Sequence, residues 1–213
     1  CHARLDEGVM SDPRLVRWPL GAERFLDLRP GAPCLMAIIN VTPDSFSDGG
    51  LALDPARAIH LAEEAIHEGA AIIDIGGEST RPGAQAVADD EQICRVEPVI
   101  RGLRSRSDVI ISVDTTQAAV AAAALDAGAD IINDTSGGLD DPMLLPLVAA
   151  RRCGVVLMHR RSAPAQEAWS HELLSDASRG ARSIVERVRQ ALDGRLRAAR
   201  EKGIHPEQIV LDP

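Results

Sequence analysis

Five short polar segments hold the residues that could do chemistry, and each follows an apolar run. The first is Asn40-Val41-Thr42-Pro43-Asp44-Ser45-Phe46-Ser47-Asp48-Gly49-Gly50. It packs hydroxyls, acids and a Gly-Gly pair into one loop, a composition that can move and close over a ligand. Its plain alternative is a solvated turn. Phe46 speaks against that, being one of two phenylalanines in the chain and placed among polar residues. The second is Asp74-Ile75-Gly76-Gly77-Glu78-Ser79-Thr80-Arg81-Pro82-Gly83. Its glycines permit close backbone approach, Thr80 offers a hydroxyl and Arg81 a forked cation, which together suit an anion. For Arg81 alone a surface position is the stronger account. The others are Ser112-Val113-Asp114-Thr115, Asn133-Asp134-Thr135-Ser136-Gly137-Gly138 and Leu211-Asp212-Pro213. Asp114, Asn133 and Asp212 would make a set of hydrogen-bond acceptors for a flat heterocycle rich in N–H donors. Buried acids need a partner, so a ligand, a cation or a structural arginine must complete them. Few arginines lie near the apolar runs' ends, which ranks the structural ion pair second.

The elements that must position these groups alternate in type. Apolar runs predict strands over Leu35–Asn40, Ala71–Gly76, Val109–Asp114, Asp130–Asn133, Val155–His159 and Gln208–Asp212. Helical patterns between them fall near Asp54–His67, Asp89–Arg104, Thr116–Ala127, Pro142–Arg151 and Leu173–Lys202. This is βαβ architecture. Asp54 before Pro55 reads as a helix cap, and Gly69, Gly128 and Gly203 as helix stops. A weak echo links Gly69-Ala70-Ala71-Ile72-Ile73-Asp74 with Gly128-Ala129-Asp130-Ile131-Ile132-Asn133. The runs carry Asn40, Asp74, Asp114, Asn133, His159 and Asp212 at or near their ends. Each alone could be a cap or a turn-starter. Together they point to the C-terminal face of a parallel barrel, where such folds carry their sites.

The predicted fold is therefore α/β, a (β/α)8 TIM barrel cut after its sixth strand. Residues 1–34 are expected to be irregular, because Pro13, Pro19, Pro30 and Pro33 break long elements. Residues 35–213 form one barrel domain, with two βα units expected beyond Pro213. The net charge of −9 disfavours non-specific binding to nucleic acid or to anionic membranes. No run reaches the length of a membrane span. Four separated cysteines show neither zinc spacing nor a disulfide framework, which suits a reducing cytoplasm.

The segments Asn40–Gly50, Gly76–Gly83, Ser112–Thr115 and Asn133–Gly138, in this order and spacing, resemble the dihydropteroate synthase family. The first two stretches are the most specific, and the likeness runs from about Leu35 to Pro213. The resemblance implies condensation of 6-hydroxymethyl-7,8-dihydropterin pyrophosphate with 4-aminobenzoate in folate synthesis, with Mg2+ present. It implies that Asp114, Asn133 and Asp212 hold the pterin edge and that Asn40 helps to place Mg2+ and pyrophosphate. Thr80 and Arg81 would belong to a second mobile loop, with Asp48 closing the first. Phe46 and Pro82 would wall the aminobenzoate ring. Met158 would line the pocket or serve equally as core. The family is usually a homodimer.

Two departures stand out. After Leu157-Met158-His159 the family usually continues with a methionine and a glycine, whereas this chain has Arg160-Arg161. The family's later lysine and arginine–histidine pair are not in these 213 residues, and Lys202, the single lysine, lies in a predicted helix. Little or no turnover is therefore expected of this piece by itself. Two other readings stay open. One is a methyltetrahydrofolate-dependent methyltransferase domain, which would not need the first loop. The other is a silent homologue that binds a pterin or a protein partner, which would have no reason to keep Asn40, Thr80, Arg81, Asp114 and Asn133.

Overall fold

The computed structural model describes residues 15–21, 23–42, 54–79, 84–160 and 183–213. Six strands form one parallel sheet in sequential order: β3 (Met36–Asn40), β4 (Ile72–Gly76), β5 (Ile110–Asp114), β6 (Ile131–Asp134), β7 (Gly154–Met158) and β8 (Ile209–Asp212). Helices α1 (Pro55–His67), α2 (Asp89–Arg104), α3 (Ala118–Ala127), α4 (Leu144–Arg151) and α5 (Ile184–Glu201) fall between the strands. The expected alternation is met, with boundaries shifted by one or two residues at most strand and helix ends. The expected start of the last helix, before residue 183, lies outside the described residues.

Strand alternation creates two apolar layers. Ile73, Ile75, Ile111, Val113, Ile132, Val155 and Leu157 pack outward against Ala62, Val99, Leu103, Ala121 and Val148 of the helices. Their intervening neighbours Ile72, Ile110, Ile131, Val156 and Val210 face the other way and form a second cluster. This period-two division explains runs that are apolar on both faces. Higher on the inner face the pattern changes from apolar to polar, and there the candidate site begins.

The amino-terminal segment departs from expectation. Before β3, two strands form an antiparallel ribbon, β1 (Val16–Pro19) and β2 (Phe25–Leu28). The strands are four residues each and fit between the prolines, so proline marks their ends without preventing them. The ribbon closes the inner cluster from below. Trp18 and Leu20 pack with Ile72, Ile131 and Val156, and the Trp18 indole donates to the Gln208 carbonyl at 2.9 Å. Arg24 ties the ribbon to Asp130 at 2.8 Å, and Arg104 holds the same carboxylate at 2.6 Å. Asp130, expected as the first residue of a strand, instead precedes β6 and serves as this anchor. Across the ribbon, Arg17 pairs with Asp27 and lies over the Phe25 ring.

Local signals behave unevenly. Gly69, Gly128 and Gly203 all take positive φ after their helices, as a glycine stop requires. Asp54 occupies the cap position of α1, yet its side chain makes no capping hydrogen bond. Pro55 at the first helical position carries the start signal instead.

Candidate functional site

The parallel register lines up four residues at the C-terminal ends of adjacent strands. Asn40 pairs with Gly76, Gly76 with Asp114, and Asp114 with Asn133. Sequence reasoning expected Asn40, Asp114 and Asn133 to converge, and they do. Gly76 between them leaves a notch. A methyl group built on it would lie 3.4 Å from Asn40 Oδ1 and 3.8 Å from Asp114 Oδ2. Asp212 ends β8 opposite Met158 on β7, at the same end of the sheet but on its exposed edge. His159 lies one residue past β7, where its N–H donates to the Asp212 carbonyl at 2.8 Å. It is therefore not a strand residue, as the sequence had suggested. Phe46, Asp48, Thr80, Arg81 and Pro82 lie outside the described residues.

The pocket floor is acidic. Asp74, one inward step below Gly76 on β4, is 3% exposed. Its Oδ2 accepts from Asn133 Nδ2 at 3.1 Å. Burial raises the Asp74 pKa, and the Ser112 hydroxyl and the Asn133 amide oppose that rise. Ser112 Oγ is near enough to favour the charged form but makes no hydrogen bond of normal geometry. The Asp114 carboxyl is pushed up to about 7, first by burial and then by the charges of Asp74, Asp134 and Glu78. Among the described residues no arginine pairs with Asp74, Asp114 or Asp134. The buried aspartate that does bind arginines is Asp130, beneath the inner cluster. The structural ion pair that the sequence left open is thus absent from the described part of this site.

Two connections are built as rigid supports. Asp134 accepts from Ser136 N at 2.8 Å, Ser136 Oγ at 2.7 Å and Gly138 N at 2.5 Å, folding the segment after β6 onto its own carboxylate. Gly137 there takes φ +63°, and an added Cβ would meet the Met158 carbonyl oxygen at 2.7 Å. Close approach of loop to strand therefore needs glycine. The segment after β4 is pinned by Glu78, which accepts from Val87 N and Gln92 Nε2, each at 3.0 Å. The departure at position 160 also has a structural use: Arg160 pairs with Asp140, tying the end of β7 to the loop after β6.

Sequence reasoning counted Asp74 among the polar groups at the strand ends but gave it no role of its own, and it gave none to Gly76 or Asp134 individually. The signal for Asp74 was present in the echo that placed it opposite Asn133, the residue to which it is bonded.

A parallel βα sheet with a carboxylate–carboxamide row at its strand ends defines a class, and the comparisons agree with it. Residues 36–213 match the family model described as pterin binding enzyme, and the chain belongs to that family. It is 44% identical over 179 residues to the dihydropteroate synthase of Synechocystis sp., covering 84% of this chain and 59% of that protein. A solved Xanthomonas albilineans dihydropteroate synthase with 4-aminobenzoic acid superposes with TM-score 0.77 at 39% identity, covering 93% of this chain and 66% of that one. The Burkholderia cenocepacia enzyme complexed with 7,8-dihydropteroate gives TM-score 0.72 at 36% identity, covering 88% and 60%. The chain thus spans about 60% of the length of these relatives.

Proposed function

We propose that the protein carrying this chain is a dihydropteroate synthase, joining 6-hydroxymethyl-7,8-dihydropterin pyrophosphate to 4-aminobenzoate with release of pyrophosphate. The observation that carries this reading is the row Asn40–Gly76–Asp114–Asn133 above a buried Asp74, acceptors with no arginine beside them among the described residues. Such a row matches the N–H-rich edge of an aminopyrimidinone, and relatives of 36–39% identity were solved with 4-aminobenzoic acid or 7,8-dihydropteroate.

In this reading Asp114, Asn133 and Asp212 accept hydrogen bonds from the pterin, and Met158 packs beside it. The C–O bond of the pterin methylene breaks with its electron pair leaving on pyrophosphate. The carboxylates around the ring favour the positive charge that spreads over ring and methylene. The aromatic amine then forms the C–N bond with its lone pair and loses a proton to solvent, so no general base is required. Asp48, Thr80 and Arg81 serve pyrophosphate and loop closure, and Phe46 and Pro82 face the aminobenzoate ring. Closure excludes water, the competing nucleophile.

The Asn40 amide oxygen beside the Gly76 notch is a hard donor of the kind Mg2+ would take. Asn40 would hold Mg2+ there, and the ion, when bound, neutralises charge on the departing pyrophosphate. Filling the notch tests the placement. Gly76→Val is expected to lower kcat/KM for the dihydropterin by roughly 10²-fold, since a displacement of about 1 Å at such a site costs that much. Retained activity would move the pocket elsewhere.

The experiment for the function is pyrophosphate release from the dihydropterin pyrophosphate, with and without 4-aminobenzoate. It uses the natural protein that carries this chain, with the 213-residue chain assayed beside it. Release that depends on 4-aminobenzoate is expected from the natural protein. Pterin binding without release would end the synthase reading.

A further inference from the structure

Asp74 has no place in the reaction as proposed, yet it is a buried carboxylate at the floor of the pocket whose pKa burial raises. It lies inside the sheet at 3% exposure, opposite Ser112 in the ladder. Its Oδ2 reaches across β5 to accept from Asn133 Nδ2, a bond between residues 59 apart in sequence. Its Oδ1 is buried and makes no hydrogen bond of normal geometry among the described residues, although the Ser112 hydroxyl lies near enough to favour the charge. A buried carboxylate left half-satisfied costs stability, so a purely structural role is a poor account of it.

The amide of Asn133 can sit either way round, with Nδ2 or Oδ1 toward the ligand. A carboxylate below it permits one orientation only, because the reverse would set oxygen against oxygen. With Nδ2 committed to Asp74, Oδ1 is the atom left to face the pocket. The pocket mouth then presents acceptors: the Asn133 oxygen beside the Asp114 carboxylate.

We propose that Asp74 is a positioning and specificity residue, fixing the Asn133 amide so that the pocket selects a heterocycle edge made of donors. This rests on the pterin reading above and deepens it. The chemical consequence is discrimination between a 2-amino-4-oxo edge and the corresponding 2,4-dioxo edge, which carries an oxygen in place of the amino group. Asp74→Asn keeps the volume but offers both an oxygen and an NH2 below Asn133, so either amide orientation becomes acceptable.

The test is calorimetric titration of the natural protein and its variants with 6-hydroxymethylpterin and with 6-hydroxymethyllumazine. Wild type is expected to prefer the pterin by about 10²-fold or more, the range for a site whose polar groups would be left unpaired by the wrong ligand. Asp74→Asn is expected to weaken pterin binding about tenfold and to shrink the preference by a similar factor, while KM for 4-aminobenzoate stays constant. In an Asn133→Ala background the same change is expected to leave the preference within about twofold, since a residue acting through another shows non-additivity. A merely structural aspartate would lower stability and leave the preference intact. Wild-type binding of pterin with an unchanged preference in Asp74→Asn overturns the Asp74 assignment alone. Failure of wild type to bind either ligand overturns the pterin reading and this inference with it. A measurement on wild type needs no variant: the Asn133 side-chain amide protons should be strongly inequivalent and slow to exchange. Fast, equivalent exchange would also overturn the assignment.

Discussion

Asp114→Asn is expected to weaken pterin binding strongly and at the same time to raise the melting temperature at pH 8. The carboxyl titrates at about 7 in the folded chain, against an ordinary value of 3.8. Between those values the folded state holds a proton that the unfolded state has lost. Stability from this group is therefore present at low pH, falls as pH rises toward 7, and stays lost above it. The difference corresponds to a penalty on the order of 2–4 kcal/mol, allowing for partial exposure. An amide carries no charge to bury, so the variant escapes the penalty. For a chain of this size the gain is roughly 4–16 °C at pH 8 and close to nothing at pH 4, where both folded side chains are neutral. The cost falls on function. An amide can no longer accept two parallel N–H bonds with full charge, and each charge-assisted bond is worth about 1.5–3 kcal/mol. Pterin affinity should drop by roughly 10²-fold or more. Thermal melts at the two pH values, with a pterin titration beside them, check both halves. A variant less stable at pH 8 than wild type would show that Asp114 is held by something other than its acidic neighbours.

Trp18→Ala should unfold the barrel from its other end. The ring is 5% exposed and packs with Leu20, Ile72, Ile131 and Val156. Gly154 lies against it so closely that a methyl group there would meet Leu20 at 2.6 Å and the indole at 3.2 Å. Removing the ring leaves a cavity and deprives the Gln208 carbonyl of its donor. A loss of about 3–5 kcal/mol is expected, equivalent to roughly 10 °C or more in melting temperature. Because the ribbon lies below the inner cluster and the polar row above it, surviving folded protein should bind pterin with unchanged affinity. Urea denaturation measures the first claim and titration the second. A large affinity change without a stability change would place the ribbon in the site.

The order of strands and helices was legible in the sequence for a physical reason. Apolar runs, helical periodicity and glycine stops are local, and a parallel sheet with sequential order needs little else. Asn40, Asp114 and Asn133 could also be read, because each ends an apolar run and parallel topology sends all such ends to one face. The ribbon was not legible. Four-residue strands between prolines carry almost no periodic signal, and the burial of Trp18 depends on Ile72, Ile131 and Val156, all more than fifty residues away. Asp54 illustrates the reverse, a cap by sequence whose side chain takes no part.

Asp74 marks the boundary between the two kinds of knowledge. Its identity and its echo with Asn133 were on the page from the start, yet the bond between them depends on the register of β4, β5 and β6. A shift of one residue would turn either side chain to the helical face. The sequence by itself determined the alternation of strands and helices and that Asn40, Asp114 and Asn133 would share one end of a parallel sheet. Only the tertiary structure decided which way the Asn133 amide points, that Asp114 holds its proton to about 7, and that Asp130 belongs to the opposite end. Those properties belong to distances between strands and to the exclusion of water, neither of which exists until the sheet has closed over its core.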